Sequence, residues 1–252
     1  MSKQSRQRQI IEQLACNGKT RVDDLVCLCK AAPATIRSDL RELEKQGVIA
    51  RCYGSAELIN NDDRPLDEKQ YLNTVTKNTI AKTAAQFIED GDSIILDCGS
   101  TTLCIVPYLS EIRQLTLMTN SIYIAEAISE VNEECNVIMS GGTCRKKSAS
   151  FHGTLAEENI RKFTFDKLFI GADGFDLEFG LTTYNEAYHV SQVMCHSADK
   201  VCVVIDSSKL GRKTPNVVIP KEGIHMLITD SGITKEQASI ITKSGIELVI
   251  TQ

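Results

Sequence analysis

Apolar residues in the first sixty positions recur at helical spacing in three short blocks, and the pattern then changes to a strand-like run. Ile10, Ile11 and Leu14 form the first stripe, after a polar start carrying Lys3, Arg6 and Arg8. Asn17 and Gly18 tolerate positive φ and suit the end of that helix. A second helix is expected from about 22 to 30, with Thr20 as its cap. Ile36, Leu40 and Leu43 at i, i+4 and i+7 define a third helix over 33–46. Pro33 opens it, where a missing N–H costs nothing. After Gly47, positions 48–59 read as two strands hinged at Tyr53, Gly54 and Ser55. Three helices and a two-stranded wing make a winged helix-turn-helix, which places its third helix in the DNA major groove.

The segment 60–65 is polar and broken by Pro65, so 60–70 reads as a linker between a domain over 1–59 and a second over 71–252. A helical pattern resumes over 71–89, with Ile80, Ala84, Phe87 and Ile88 on one side. Beyond it, apolar runs at 93–97, 115–119, 136–139, 167–171, 201–206, 226–229 and 247–251 read as strands. Helical segments at 101–110, 121–131, 154–161, 186–198 and 234–243 fall between most of them. This alternation predicts an α/β domain with a mainly parallel sheet covered on both faces. Ligands of such sheets bind beyond the carboxyl ends of the strands.

Charge divides along the same boundary. Residues 1–54 hold ten Lys/Arg against six Asp/Glu, and the rest hold eighteen against twenty-seven, which accounts for the net −5. A basic head on an acidic body is expected where one module sits on phosphate and the other does not. No run of eighteen apolar residues is present and the amino terminus lacks a signal-peptide stretch, which predicts a cytoplasmic protein. The ten cysteines are scattered without a C-x-x-C, and the four histidines do not cluster with them in sequence. They read as reduced packing residues, with no metal or cofactor expected. A Walker loop, a G-x-G-x-x-G fingerprint and a G-x-S-x-G elbow are all missing from the sequence.

Two sets of residues carry candidate chemistry. On the third helix Thr35, Arg37, Ser38 and Arg41 lie off the apolar stripe. Arg37 suits a bidentate guanine contact, and Arg41, Arg51 and Tyr53 suit phosphates. In the body, Asp97, Gly99, Ser100, Thr101 and Thr102 follow a strand and open a helix, a combination of close backbone approach, hydroxyls and free N–H groups that seats a phosphate. Asn120, Gly141, Gly142, Arg145, Asp173, Glu186 and Lys209 fall at or near later strand ends. The carboxylates among them suit sugar hydroxyls or proton transfer, and the cations suit an anion.

These residues resemble the DeoR family of bacterial sugar-responsive repressors over essentially the whole chain. Arg6, Ile10, Leu14, Ala32, Thr35, Ile36, Arg37, Asp39 and Leu40 match its helix-turn-helix signature, and 97–102, 119–121, 141–142, 171–176, 185–186 and 206–209 match its body motifs. Ser38 and Ser55 depart from the common pattern at the recognition helix and wing tip. The resemblance implies a body similar to phosphosugar isomerases, operator double-stranded DNA as partner, a sugar-phosphate inducer and a homo-oligomer, dimer or tetramer. Segments 145–153 and 207–218 are similar to those of glucitol (sorbitol) operon repressors, which implies glucitol 6-phosphate, with galactitol and N-acetylgalactosamine regulators as near neighbours. The alternative is an isomerase-like enzyme with an accessory DNA-binding head, since Glu186 falls where such enzymes keep a carboxylate. The approach at 176–181 supplies neither the lysine nor the histidine those enzymes place beside it, so no catalytic residue is expected.

Overall fold

A computed structural model describes residues 3–17, 19–45, 48–58, 66–185 and 188–251. Its contacts divide the chain into two compact units, Met1–Thr74 and Val75–Gln252. The first comprises α1 (Lys3–Asn17), β1 (Thr20–Arg21), α2 (Val22–Cys29), α3 (Pro33–Lys45), β2 (Ile49–Cys52), β3 (Ser55–Leu58) and the short α4 (Leu66–Lys69). Ile10, Ile11 and Leu14 of α1 pack with Leu25 and Cys29 of α2, Ile36, Leu40 and Leu43 of α3, and Val48, Ile49 and Ala56 of the wing. The apolar stripes read from sequence are thus the core of the head. Lys30, at φ 46, breaks α2, and Pro33 then opens α3. The Ala32 carbonyl accepts the N–H groups of Thr35 and Ile36 at 2.9 and 3.1 Å.

The wing differs from expectation in two details. It has three antiparallel strands in the order β1-β3-β2, because Thr20 and Arg21 pair with Ala56 and Ser55. Thr20 is therefore a buried strand residue and not a cap. Arg21 occupies the cap position, with no side-chain bond to the helix. The turn is also shorter, since Ser55 already pairs with Cys52 and only Tyr53 and Gly54 lie between the strands. Gly54 takes φ 71, a conformation glycine adopts without penalty.

The second unit starts as α5 (Thr74–Ala85) leaves the first. It continues through β4 (Ser93–Leu96), α6 (Ser100–Leu103), β5 (Thr116–Thr119), α7 (Ile122–Val131), β6 (Asn136–Met139), β7 (Thr143–Arg145), β8 (Ser150–His152), α8 (Thr154–Ile160) and β9 (Phe165–Ile170). Then come β10 (Gly174–Asp176), β11 (Gly180–Thr183), α9 (His189–His196), β12 (Ala198–Val204), β13 (Asn216–Ile219), β14 (Met226–Asp230), α10 (Lys235–Lys243) and β15 (Glu247–Thr251). The seven strands read from sequence form one parallel sheet in the order β15-β14-β12-β9-β4-β5-β6. Residues along each strand alternate between two cores. Ile94, Leu96, Phe169, Cys202 and Val204 pack under α5 and α7, and Ile95, Leu168, Ile170, Val201 and Val203 under α8, α9 and α10. Burial on both faces is why these strands read as continuous apolar runs.

The chain builds outward from β4 in one direction through β5 and β6, then returns to the other side of β4 with β9. In open α/β sheets ligands bind beyond the carboxyl ends of the strands at such a reversal, here between β4 and β9. Two smaller sheets, the hairpin β7-β8 and the antiparallel set β10-β11-β13, are additions that the apolar pattern did not indicate.

Gly142, at φ 106, links β6 to the hairpin, and a Cβ there would fall 2.6 Å from the His152 carbonyl oxygen and 3.0 Å from Ala156 Cβ. Gly142→Ala is expected to lower unfolding free energy by about 1–3 kcal/mol in a thermal or urea melt. Gly91→Ala, at φ 85 with nothing within 4 Å, serves as the comparison without a clash and is expected to cost less. Equal losses would contradict the close-approach role of Gly142.

Candidate functional site

In the head, α3 turns Ile36, Asp39, Leu40 and Leu43 inward, half-buries Thr35 and leaves Arg37, Ser38 and Arg41 exposed. Arg37, Ser38 and Arg41 therefore share the outer face of that helix, and Thr35 lies off it. Tyr53 stands fully exposed at the wing tip. Arg51 is exposed on β2, but its Nη1 lies 3.4 Å from Glu44 Oε2 of α3. A phosphate contact by Arg51 would compete with that pair.

In the body, the residues proposed for the ligand gather at one end of the parallel sheet. Residues 97–102 follow β4, Asn120 follows β5, Gly141 and Gly142 follow β6, Asp173 follows β9 and Lys209 follows β12. Asn120 is completely buried and joins the turns after β4 and β5 to β8. Its Oδ1 accepts the Cys98 N–H at 3.1 Å, and its Nδ2 donates to the Phe151 carbonyl at 3.3 Å. Its own carbonyl accepts the Phe151 N–H at 2.8 Å. The Thr102 hydroxyl donates to the carbonyls of Asp97 at 2.6 Å and Gly99 at 2.9 Å, fixing the turn before α6. A Cβ at Gly99 would sit 3.0 Å from Thr102 Oγ1, so a larger residue there would press on this hydroxyl.

Two charged groups lie buried at this turn. Lys77 of α5 is 5% exposed and its Nζ donates to Ser100 Oγ at 2.8 Å. Sequence reading passed over Lys77 because a lysine in an amphipathic helix ordinarily points to solvent. Asp97 is 6% exposed, with Oδ2 accepting from the Ser191 hydroxyl at 3.2 Å and Oδ1 buried without a hydrogen-bond partner. Burial holds its carboxyl above the ordinary range, against the opposing pull of the Cys98 N–H, the His152 charge and the Ser191 hydroxyl. Burial, and then the Asp97 charge, push the Cys98 thiol up to about 12, so it is a packing group and not a nucleophile. Ser150 Oγ and His152 Nε2, 2.8 Å apart on β8, border the same cluster and were likewise missed.

The other proposed residues occupy structural roles of their own. Asp173 accepts from the Thr183 hydroxyl at 2.8 Å and the Tyr184 N–H at 3.1 Å, holding the end of β11 to the loop after β9. Arg145 lies half-buried in β7, opposite Ser150. Lys209 ends a 3-10 turn capped by Asp206, whose carboxylate accepts from the Ser208 N–H at 3.2 Å. Glu186 lies outside the described residues. Among the described residues no group of His, Cys, Asp and Glu side chains is placed to hold a metal ion, and Cys27, Cys29, Cys98, Cys104, Cys135, Cys144, Cys195 and Cys202 are free thiols. No helix among them is long and apolar enough to cross a membrane.

A helix-turn-helix head joined to a parallel α/β body with polar residues gathered at its strand ends defines a DNA-binding regulator with a sensing domain. Residues 6–62 match the DeoR-like helix-turn-helix domain, and residues 72–231 match the DeoR C terminal sensor domain. The chain belongs to the DeoR family of sugar-responsive transcriptional repressors. It is 38% identical, over 97% of its length and 93% of the relative's, to an Escherichia coli O157:H7 protein named for repression of the aga operon. It is also 33% identical to the regulator GlpR of Haloferax volcanii, over 97% and 96% of the two chains. With GolR of Listeria innocua the identity is 30%, over 98% of each. Among solved structures, ribose 5-phosphate isomerase A of Methanocaldococcus jannaschii matches with a TM-score of 0.41 and 20% identity over 55% of each chain.

The raised Asp97 value has a measurable consequence. Its contribution favours the folded state while the carboxyl is protonated. That contribution is full below the ordinary range of ~4 and is lost as pH climbs through the raised value. Asp97→Asn, neutral throughout, is expected to melt above wild type at about pH 8 and to lose that advantage as pH falls toward about 4. A gap in melting temperature that does not change with pH would contradict the burial of an ionisable group at Asp97.

Proposed function

We propose that this chain represses an operon for use of a sugar alcohol, glucitol being the first candidate, and leaves its operator when a sugar phosphate such as glucitol 6-phosphate binds the body. The observation that carries the anion half of this reading is Lys77, a buried ammonium set against Ser100 beside the Thr101 and Thr102 hydroxyls. An ammonium and hydroxyl groups brought together beside Gly99 suit the oxygens of a phosphate. In this reading the phosphate lies at 99–102 with Lys77, and Lys209 approaches from the end of β12, two strands from β4. Asp97, Asn120, Arg145, Asp173 and Glu186 orient the polyol. The glucitol assignment is supported by the likeness at 145–153 and 207–218. The named relatives point to several different operons, so effector chemistry must be measured.

In the head, Arg37 contacts a guanine while Ser38, Thr35, Arg41 and Tyr53 set register on bases and backbone. A homo-oligomer, dimer or tetramer, presents paired heads to symmetric half-sites. Induction then requires that the sugar phosphate bind the DNA-incompetent state more tightly than the competent one.

The test is a thermal-shift screen of the full chain with glucitol 6-phosphate, galactitol 6-phosphate, N-acetylgalactosamine 6-phosphate and inorganic phosphate. At a hundredfold excess over its dissociation constant a true effector adds about 2.7 kcal/mol of stability. One hexitol phosphate is expected to do so in the wild type and to lose most of that effect in Lys77→Met. No stabilisation by any compound would contradict the anion site, and steady turnover of one of them would favour the enzyme.

A further inference from the structure

The acidic residues of α3 do not stay beside its DNA-facing arginines. Asp39 is taken by Arg6 of α1, Glu42 by Lys3 of α1 at 2.5 Å, and Glu44 by Arg51 of β2 at 3.4 Å. Lys3 and Arg6 are three residues apart on α1, as are Asp39 and Glu42 on α3, so the two pairs form successive rungs between the helices. The rungs differ in kind. Lys3 and Glu42 keep side-chain exposures of 56% and 40%, and such a pair contributes little. Arg6 and Asp39 keep only 14% and 3%. The guanidinium also engages both carboxylate oxygens, Nε donating to Oδ2 and Nη2 to Oδ1 at 3.2 Å. The Asp39 bond also raises Arg6 above its ordinary value.

Asp39 lies two residues from Arg37 and two from Arg41, on the opposite side of the helix from both. A two-point contact at Asp39 fixes rotation of α3 about its own axis, and that rotation decides where the two arginines point. Leu40 and Ile36 alone would tolerate a small roll, since apolar contact is not directional. The fork also neutralises a carboxylate that would otherwise sit beneath a surface meant for phosphates.

We infer that Arg6 is a positioning residue for operator recognition: it touches no DNA, and its bidentate hold on Asp39 sets the roll of α3 that aims Arg37 and Arg41. This rests on the reading of α3 as the element that enters DNA. It separates sequence discrimination from mere attraction to a duplex, because phosphate attraction needs charge while base reading needs geometry.

The experiment takes the full chain, derives its preferred duplex by selection from a randomised pool, and compares affinity for that duplex with affinity for a scrambled one. Arg6→Gln is expected to lose about tenfold in that ratio, the scale of one misplaced bidentate base contact. Binding to the scrambled duplex at low salt and the circular dichroism spectrum should stay close to wild type. Arg6→Lys keeps the charge without the fork and is expected to recover only part of the ratio. It also keeps the test decisive if Arg6→Gln fails to fold. Lys3→Gln should leave the ratio unchanged. An unaltered ratio in both Arg6 variants would overturn the inference, as would an equal fall in affinity for both duplexes. Failure of the wild-type chain to retain any duplex would instead overturn the DNA reading on which the inference rests.

Discussion

The body depends on a single buried amide. Asn120 binds the Cys98 N–H beyond β4 with its side-chain oxygen and the Phe151 carbonyl of β8 with its nitrogen, while its own backbone continues from β5. Strand ends at a sheet reversal otherwise diverge, because the connections leave in opposite directions. This amide, with Thr102 stapling the turn behind it, converts that divergence into a fixed polar floor. The turn after β4 and the strand β8 are tied together by it. Lys77 can meet Ser100 only if the turn before α6 is held, and the β7-β8 hairpin carries His152 to the Asp97 cluster only because Phe151 is pinned.

Holding such a floor costs stability. The Asp97 carboxylate is withdrawn from water with one oxygen unsatisfied, and Lys77 is buried nearby on α5. Ionisable groups withdrawn from water at the strand ends of an open sheet suit a site that binds something more than a core that only packs. The head shows the complementary strategy. There the buried charge is matched by a bidentate partner, and the groups left exposed on α3 are the ones that would meet phosphate and base edges. A sensing module proposed to gain stability from its ligand and a reading module whose buried charge is already paired make a consistent division of labour.

Much of this was legible in the sequence, for identifiable reasons. The seven strands of the parallel sheet showed as apolar runs because both faces are covered, and the three head helices showed because Ile10, Ile36, Leu40 and their neighbours keep one face. The hairpin β7-β8 and the set β10-β11-β13 did not show, since three- and four-residue strands with polar edges carry no period to detect. Thr20 looked like a cap because its pairing with Ala56 is made thirty-six positions away. Lys77 and Arg6 share that difficulty: a charge on an amphipathic helix reads as solvated, and its partner at Ser100 or Asp39 gives no local signal. The strand-end residues were identifiable because an open α/β sheet can present polar groups to a ligand at that edge. Their particular partners were not.

The central claim is that occupancy at the strand ends governs the grip of the head on DNA. It is tested most directly by fluorescence anisotropy of a labelled operator duplex held by the full chain while the stabilising sugar phosphate is added. The account predicts release of the duplex, together with a weakening of sugar-phosphate binding by the same factor when unlabelled duplex is present, as reciprocity requires. A sugar phosphate that binds the body while duplex retention stays constant would contradict it.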